Sequence, residues 1–292
     1  MDQEVFQKVH PREYLARFLN KDVRPDGRSL TKARRVNITV SSIATAVGSA
    51  MLKMGKTTAV AGVHATLVQP APGAPDQGIL DVAVELLPMA SPNYKSGRSS
   101  EEAICLTEYL RSLISPHINM SKLCVEAGLL VWQLRLTVYC VDNDGNLEDA
   151  ILLAGVAAMR NVLLPSVRII GEEVDEGRDA QMVEVKTENE EGEGEAESII
   201  AVATVERTNS LEIDTYPLPI SFILFDGKVL IDPSVAEESV CDSRITFLFR
   251  PTGELRGVLK PGGKNVPENL YQSCLTMAKE RIPKLQAKLE AT

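Results

Sequence analysis

The chain has 292 residues, 44% hydrophobic and 24% charged, with a formal net charge of -9. At ~150 residues per domain this is one large or two ordinary globular units, with a core large enough to need neither disulfides nor metal; wholesale disorder and collagen-like repeats are excluded. The longest apolar run, residues 150–159, lies between Asp149 and Arg160 and is about half the ~20 residues that a membrane-spanning helix requires, so no membrane association is expected.

Residues 11–19 read as a short helix. Residues 24–28, Arg-Pro-Asp-Gly-Arg, read as a turn, because Pro presets φ and Gly follows Asp. Alternating apolar residues predict strands over 35–40, 48–54, 57–66 and 80–87. A helix is expected over 100–114, preceded by Ser99 and Glu102 at capping-box spacing. A long strand over 130–141 contains the single Trp, Trp132. After the turn at 142–145, Asn146 is expected to cap an apolar helix running to Leu164, where Pro165 stops it. Further strands are expected over 199–206, 219–225 and 228–231, the last two joined by an Asp226-Gly227 hairpin turn, then over 244–250 and 254–260. A closing helix spans about 268–289. Two strand-rich segments with attached helices predict an α+β class, with mixed sheets carrying helices on one face.

The acidity is local. Residues 172–197 hold 12 acids against Arg178 and Lys186, leaving 28 acids and 29 bases elsewhere. Self-repulsion, and the near-absence of apolar residues in its core, 186–198, predict a disordered linker. The expected organisation is therefore an N-terminal helix and turn (1–30), a first half (31–170), an acidic, disordered insert (171–198) and a second half ending in a helix (199–292). The acidic Met1-Asp2-Gln3-Glu4 start does not read as a signal peptide. The five cysteines include no Cys-x-x-Cys pair, so reduced thiols, mostly buried, are expected. Three histidines do not make an ordinary zinc site, and neither metal nor cofactor is expected.

Several motifs mislead. Gly55-Lys56-Thr57 lacks the preceding Gly of a phosphate-binding loop and is followed by a strand rather than a helix. Lys260-Pro-Gly-Gly263 reads as a turn between strand and helix. No Gly-x-Ser-x-Gly elbow, His-Glu-x-x-His pair or calcium loop is present. The scarcity of aromatics argues against an autonomous base-stacking RNA reader.

Arg24-Pro-Asp-Gly-Arg28, the run from Gly48 to Thr58, Ser96-Gly-Arg98 with Glu102, Asp144-Gly-Asn146 and Asp232-Pro-Ser-Val-Ala-Glu-Glu238 occur in this order. Together they resemble the RNase PH family, and within it the ring subunits of the eukaryotic RNA exosome. The resemblance covers about Glu13 to Leu285 without the acidic insert. It implies the RNase PH-like fold (ribosomal protein S5 domain 2-like) of two related halves. It also implies a six-membered ring of RNase PH-like subunits, S1/KH cap subunits, and a channel for single-stranded RNA, located in the nucleus (including the nucleolus) and the cytoplasm. Active relatives cleave RNA with phosphate, a chemistry that needs cations and amides around the nucleophile and carboxylates near the scissile bond.

The chain departs from that pattern where the phosphate would dock. Active members carry a hydroxyl residue and an arginine in the turn after the long strand; here those positions are Leu147 and Glu148. Two unit charges ~4 Å apart interact by ~4 kcal/mol at an effective dielectric of ~20, so exchanging attraction for repulsion is expected to abolish phosphate binding. Of the family's paired aspartates, Asp232 matches the first and Glu238 replaces the second. The resemblance therefore implies no catalytic residue: Asp232, Glu238 and Glu148 mark a degenerate site. Arg98 matches a phosphate- or RNA-contacting arginine of the family, and Lys95 and Arg98 are the candidate RNA contacts, through phosphates rather than bases. Arg111 is expected to pair with Glu108. Rival readings are an active phosphorolytic exoribonuclease, a scaffold that never touches RNA, and a subunit lending Arg98 to an active neighbour.

Overall fold

The computed structural model describes residues 3–95, 100–170, 181–186, 198–211, 213 and 215–291, with backbone alone for 3–4, 168–170, 181–186 and 198–208. Two short helices, α1 (Gln3–Val9) and α2 (Pro11–Leu19), open the chain. Strands β1 (Val36–Val40), β2 (Gly48–Met54) and β3 (Thr57–Val68) then form an antiparallel meander. Next come β4 (Ile79–Leu86), α3 (Glu101–Ile114), β5 (Cys124–Glu126) and β6 (Leu130–Asp142). The sheet order is β1-β2-β3-β6-β4, with β5 also paired to β6, and β4 runs parallel to β6.

Helix α4 (Leu147–Arg160) is the centre of the molecule. All of its residues from Leu147 to Met159 are buried except Glu148, as expected for a helix that is apolar all round. It packs on β2, β3 and β6 of the first sheet and on a strand of the second half. Gly48 allows this close approach: a Cβ there would lie 2.6 Å from the Ala158 carbonyl oxygen.

The second half follows β7 (Leu163–Ile170), β8 (Gln181–Lys186) and β9 (Ser198–Ser210), which make a separate antiparallel sheet in the order β7-β9-β8. It consists of β10 (Leu218–Phe225), β11 (Lys228–Ile231), the single-turn α5 (Val235–Glu238), β12 (Ser243–Phe249), β13 (Leu255–Leu259) and α6 (Glu268–Glu290). Its sheet, β11-β10-β12-β13, is wholly antiparallel. Every residue of β10 is buried. Helices α4 and α6 pack against this strand, while Leu15 and Leu19 of α2 cluster with Ile223, Phe225 and Leu230.

Several expectations need correction. Only the first sheet is mixed, and β10 is covered by helices on both faces rather than one. Gln181–Lys186, inside the stretch expected to be a disordered insert (171–198), is strand β8: its alternation of Met182, Val183 and Val185 with polar residues was outweighed by the surrounding charge. The rest of the insert, apart from Ser198, lies outside the described residues. Helix α4 stops at Arg160, and Pro165 sits within β7. Ser100, not Ser99, caps α3, accepting a bond from the Ala103 N–H. All five cysteines are free, but only Cys140 and Cys274 are buried.

Candidate functional site

The turn before α4 and the turn after β11 meet back to back. Gly145 (φ +87) makes this possible, since a Cβ there would fall 2.5 Å from the Val235 nitrogen. Asn146 and Asp232 both hold left-handed backbone conformations, φ 53 and 52, which non-glycine residues adopt at a cost of ~1–3 kcal/mol. Surrounding bonds impose them.

Asp232 is 2% exposed. Its Oδ2 accepts from the Arg34 backbone N–H at 2.7 Å, Arg34 Nε at 3.0 Å and Arg28 Nη1 at 3.4 Å. Its Oδ1 accepts from Arg34 Nη2 at 2.8 Å and Asn146 Nδ2 at 3.0 Å. Burial alone would raise the Asp232 pKa, but the Arg34 guanidinium outweighs it and holds the carboxyl below its ordinary value. Arg34 also donates to the Asp144 and Gly145 carbonyls at 2.9 and 3.0 Å, so one arginine ties both turns together. The carboxylate is ionised and has its lone pairs occupied.

The N-terminus of α4 is closed by carboxylates. The Asn146 N–H donates to Glu238 Oε1 at 3.0 Å. Leu147 is buried in the core. Arg244 Nη2 lies 3.0 Å from Glu148 Oε2, and its Nη1 3.7 Å from Glu238 Oε1. These groups line a cavity of about 180 Å³ with Glu102, Tyr109 and Asn143. Burial, reinforced by the Glu148 charge and opposed by Arg244 and the Asn146 N–H, pushes Glu238 up to about 7. Burial also raises Glu148, against the pull of Arg244. The guanidinium is held above its ordinary pKa because Glu148 and Glu238 outweigh its own burial. Behind them Asp149 accepts from the Ser221 N–H and hydroxyl at 3.0 and 2.7 Å and from Asn146 Nδ2 at 2.9 Å. An anion arriving at this helix terminus meets two carboxylates, and the arginine between them already faces both.

Asp232, Glu238, Glu148 and Leu147 therefore come together around Asn146. Lys95 is exposed at the end of the loop before α3, and Arg98 lies outside the described residues. Arg111 pairs with Glu108 at 3.2 Å and donates to the Val82 carbonyl at 3.4 Å, as expected of a structural residue. Sequence reasoning missed three participants. Arg34 is one; its only sequence signal is its place just after the Arg24–Arg28 turn. Arg244 is another, and nothing nearby in sequence marks it. The third is the pair of Arg24 and Glu237, 0% and 1% exposed. Arg24 Nε donates to Glu237 Oε1 at 2.8 Å, Nη2 donates to Oε2, and Nη1 reaches the Ile231 carbonyl at 2.7 Å. The first arginine of the Arg-Pro-Asp-Gly-Arg motif is thus an internal strut.

The model of the 3′ exoribonuclease family, domain 1, matches residues 32–165, and that of domain 2 matches residues 215–281. The exosome complex component Rrp42 of Pyrococcus abyssi is 32% identical, over 86% of this chain and 83% of that protein. The exosome complex component rrp43 of Schizosaccharomyces pombe is 28% identical, over 95% and 94%. A chain of the Archaeoglobus fulgidus exosome with RNA bound to the active site superposes with a TM-score of 0.74 at 29% identity, covering 97% of this chain and 99% of that one.

Proposed function

The chain belongs to the RNase PH family of 3′ exoribonucleases, and we propose that it is a non-catalytic subunit of an exosome core ring, supplying architecture and part of the wall of an RNA path. The non-catalytic reading is supported by the α4 terminus, where Glu238 accepts from the Asn146 N–H and Glu148 pairs with Arg244; by the resemblance, Glu148 takes the position of an arginine in active relatives. Helix termini bind anions through N–H groups and a positive field; here the N-cap N–H of Asn146 is taken by Glu238, and Glu148 sets a carboxylate in the first turn against that field. Asp232, the matched family aspartate, is consumed by Arg34.

In 3′–5′ RNA processing and decay by the whole assembly, this subunit holds its neighbours and guides single-stranded RNA. Exposed Lys95 and Arg98, three residues further along the chain, supply sequence-independent phosphate contacts. Local signatures such as 11–14 (Pro-Arg-Glu-Tyr) and 260–263 (Lys-Pro-Gly-Gly) favour the ring subunit called ribosomal RNA-processing protein 43. The relatives carry both Rrp42 and Rrp43 names and support the ring subunit without separating the two.

The test is phosphorolysis of oligo(A) by the purified chain. No nucleoside diphosphate is expected, and release that disappears in Asp232→Ala or Glu238→Gln would restore the active-enzyme reading. Co-purification with mass spectrometry is expected to recover RNase PH-like neighbours and S1/KH cap subunits. A tagged chain is expected in the nucleus, nucleolus and cytoplasm. UV crosslinking in the assembled ring is expected to mark Lys95 or Arg98; no crosslink there favours a pure scaffold.

A further inference from the structure

A groove of about 680 Å³ runs between residues 31–37 and α6 and shares Arg34 with the candidate site. Its lining includes Lys32, Arg35, Arg281 and Lys284, and among the described residues its sole acid is Glu280. Lys32, Arg35 and Lys284 are exposed, and their charged ends have no ion-pair or hydrogen-bond partner among the described residues. Arg281 reaches only the Arg34 carbonyl, at 3.5 Å. The floor is apolar, with Val36, Met277 and Leu285.

One wall of the groove is the start of β1, the free edge of the first sheet. Ser41 N–H donates to the Ser49 carbonyl and Gly55 N–H to the Arg35 carbonyl, so the odd-numbered residues face β2. In an antiparallel ladder the intervening residues turn both backbone groups the other way. Val36, Ile38 and Val40 accordingly direct their N–H and C=O groups outward, without a backbone partner among the described residues. Edge strands normally protect themselves with charge. Edge strand β4 carries Asp81 and Glu85 and edge strand β13 carries Arg256, whereas β1 carries no charged residue.

We propose that this groove takes an acidic segment of another polypeptide, in extended conformation, as an added strand on β1. A cleft between a strand edge and a helix is the geometry of strand addition, where backbone bonds supply affinity and flanking side chains supply selectivity. Met277 to Lys288 spans ~16 Å of helix, which ~5 extended residues cover; opposite it lie residues 31–35 and the first two residues of β1, Val36 and Asn37. The unpaired cations select acidic side chains, and Met277 offers an adaptable apolar contact. Among the described residues the groove lining has no aromatic or imidazole side chain, so it offers a polyanion charge contacts but no stacking surface for bases.

The test uses the full-length chain and a fluorescein-labelled Glu-Val-Glu-Ile-Glu-Val-Glu peptide, read by fluorescence anisotropy. Saturable binding is expected. It should weaken at least about tenfold when alternate peptide nitrogens are methylated, because several backbone bonds are lost. It should weaken by at least about tenfold in Arg35→Glu with Lys284→Glu, whose melting temperature should match the parent chain. Arg35→Gln with Lys284→Gln gives the same ranking if charge reversal disturbs folding. Equal binding of the methylated peptide reduces the groove to a nonspecific cationic patch and overturns the proposal, as does no binding at all. Tighter, competing binding of a uridine octamer replaces it with a nucleic-acid surface.

Discussion

Arg24 and Glu237 show how much a single buried pair can demand. Removing one partner strands a charge in the interior, which costs ~3–5 kcal/mol, whereas replacing both by apolar groups of similar volume is often close to neutral. Arg24→Ala is therefore expected to lose ~3–5 kcal/mol in urea denaturation, and Arg24→Met with Glu237→Leu to recover most of it. Glu238 makes a pH-dependent prediction. Its folded pKa, about 7, lies above its ordinary 4.5, so its contribution to stability is full below about pH 4.5 and is lost as pH rises through about 7. Glu238→Gln keeps the acceptor for the Asn146 N–H but has no proton to lose. Between pH 5 and 8 the variant should gain ~1–3 kcal/mol relative to the parent chain; parallel stability profiles would refute the assignment.

At the scale of elements, α4 and α6 join the two halves by packing on both sheets, and α2 packs on the second. Gly48 lets β2 approach the α4 backbone, where the obstacle to a side chain is the Ala158 carbonyl rather than a movable group. Gly48→Ala is expected to cost ~1–3 kcal/mol, measured as a lowered denaturation midpoint with unchanged slope. Leu19, 2% exposed, anchors α2 in the cluster with Ile223 and Phe225. Leu19→Ala should cost ~2–5 kcal/mol and raise hydrogen exchange first in α2. Most elements were legible because their apolar period is clean: 48–54 and 228–231 coincide with β2 and β11. α1 was not marked, β5 and α5 are too short to show a period, and β8 was hidden by the acids around it.

For the whole molecule, the proposed ring assembly makes a prediction about the surface. Met51, Met89, Ile104, Tyr139 and Val258 are between 37% and 72% exposed, and apolar surface of this kind is normally covered by partners. The isolated chain is expected to dimerise or aggregate, which sedimentation over a concentration series would show; a monomer at high concentration counts against assembly through these faces.

The sequence by itself determined the α+β class, the chain order of most strands, the presence of Leu147 and Glu148 after the turn before α4, and the resemblance that led to the family. Such features lie in residue type and local period, which a linear chain displays. Tertiary structure alone decided that Arg34 consumes Asp232, that Arg244 sits between Glu148 and Glu238, and that β1 has an open edge beside a cationic helix. Each of these joins residues far apart in the chain, and an interaction whose strength depends on distance and burial has no signature until folding brings its members together.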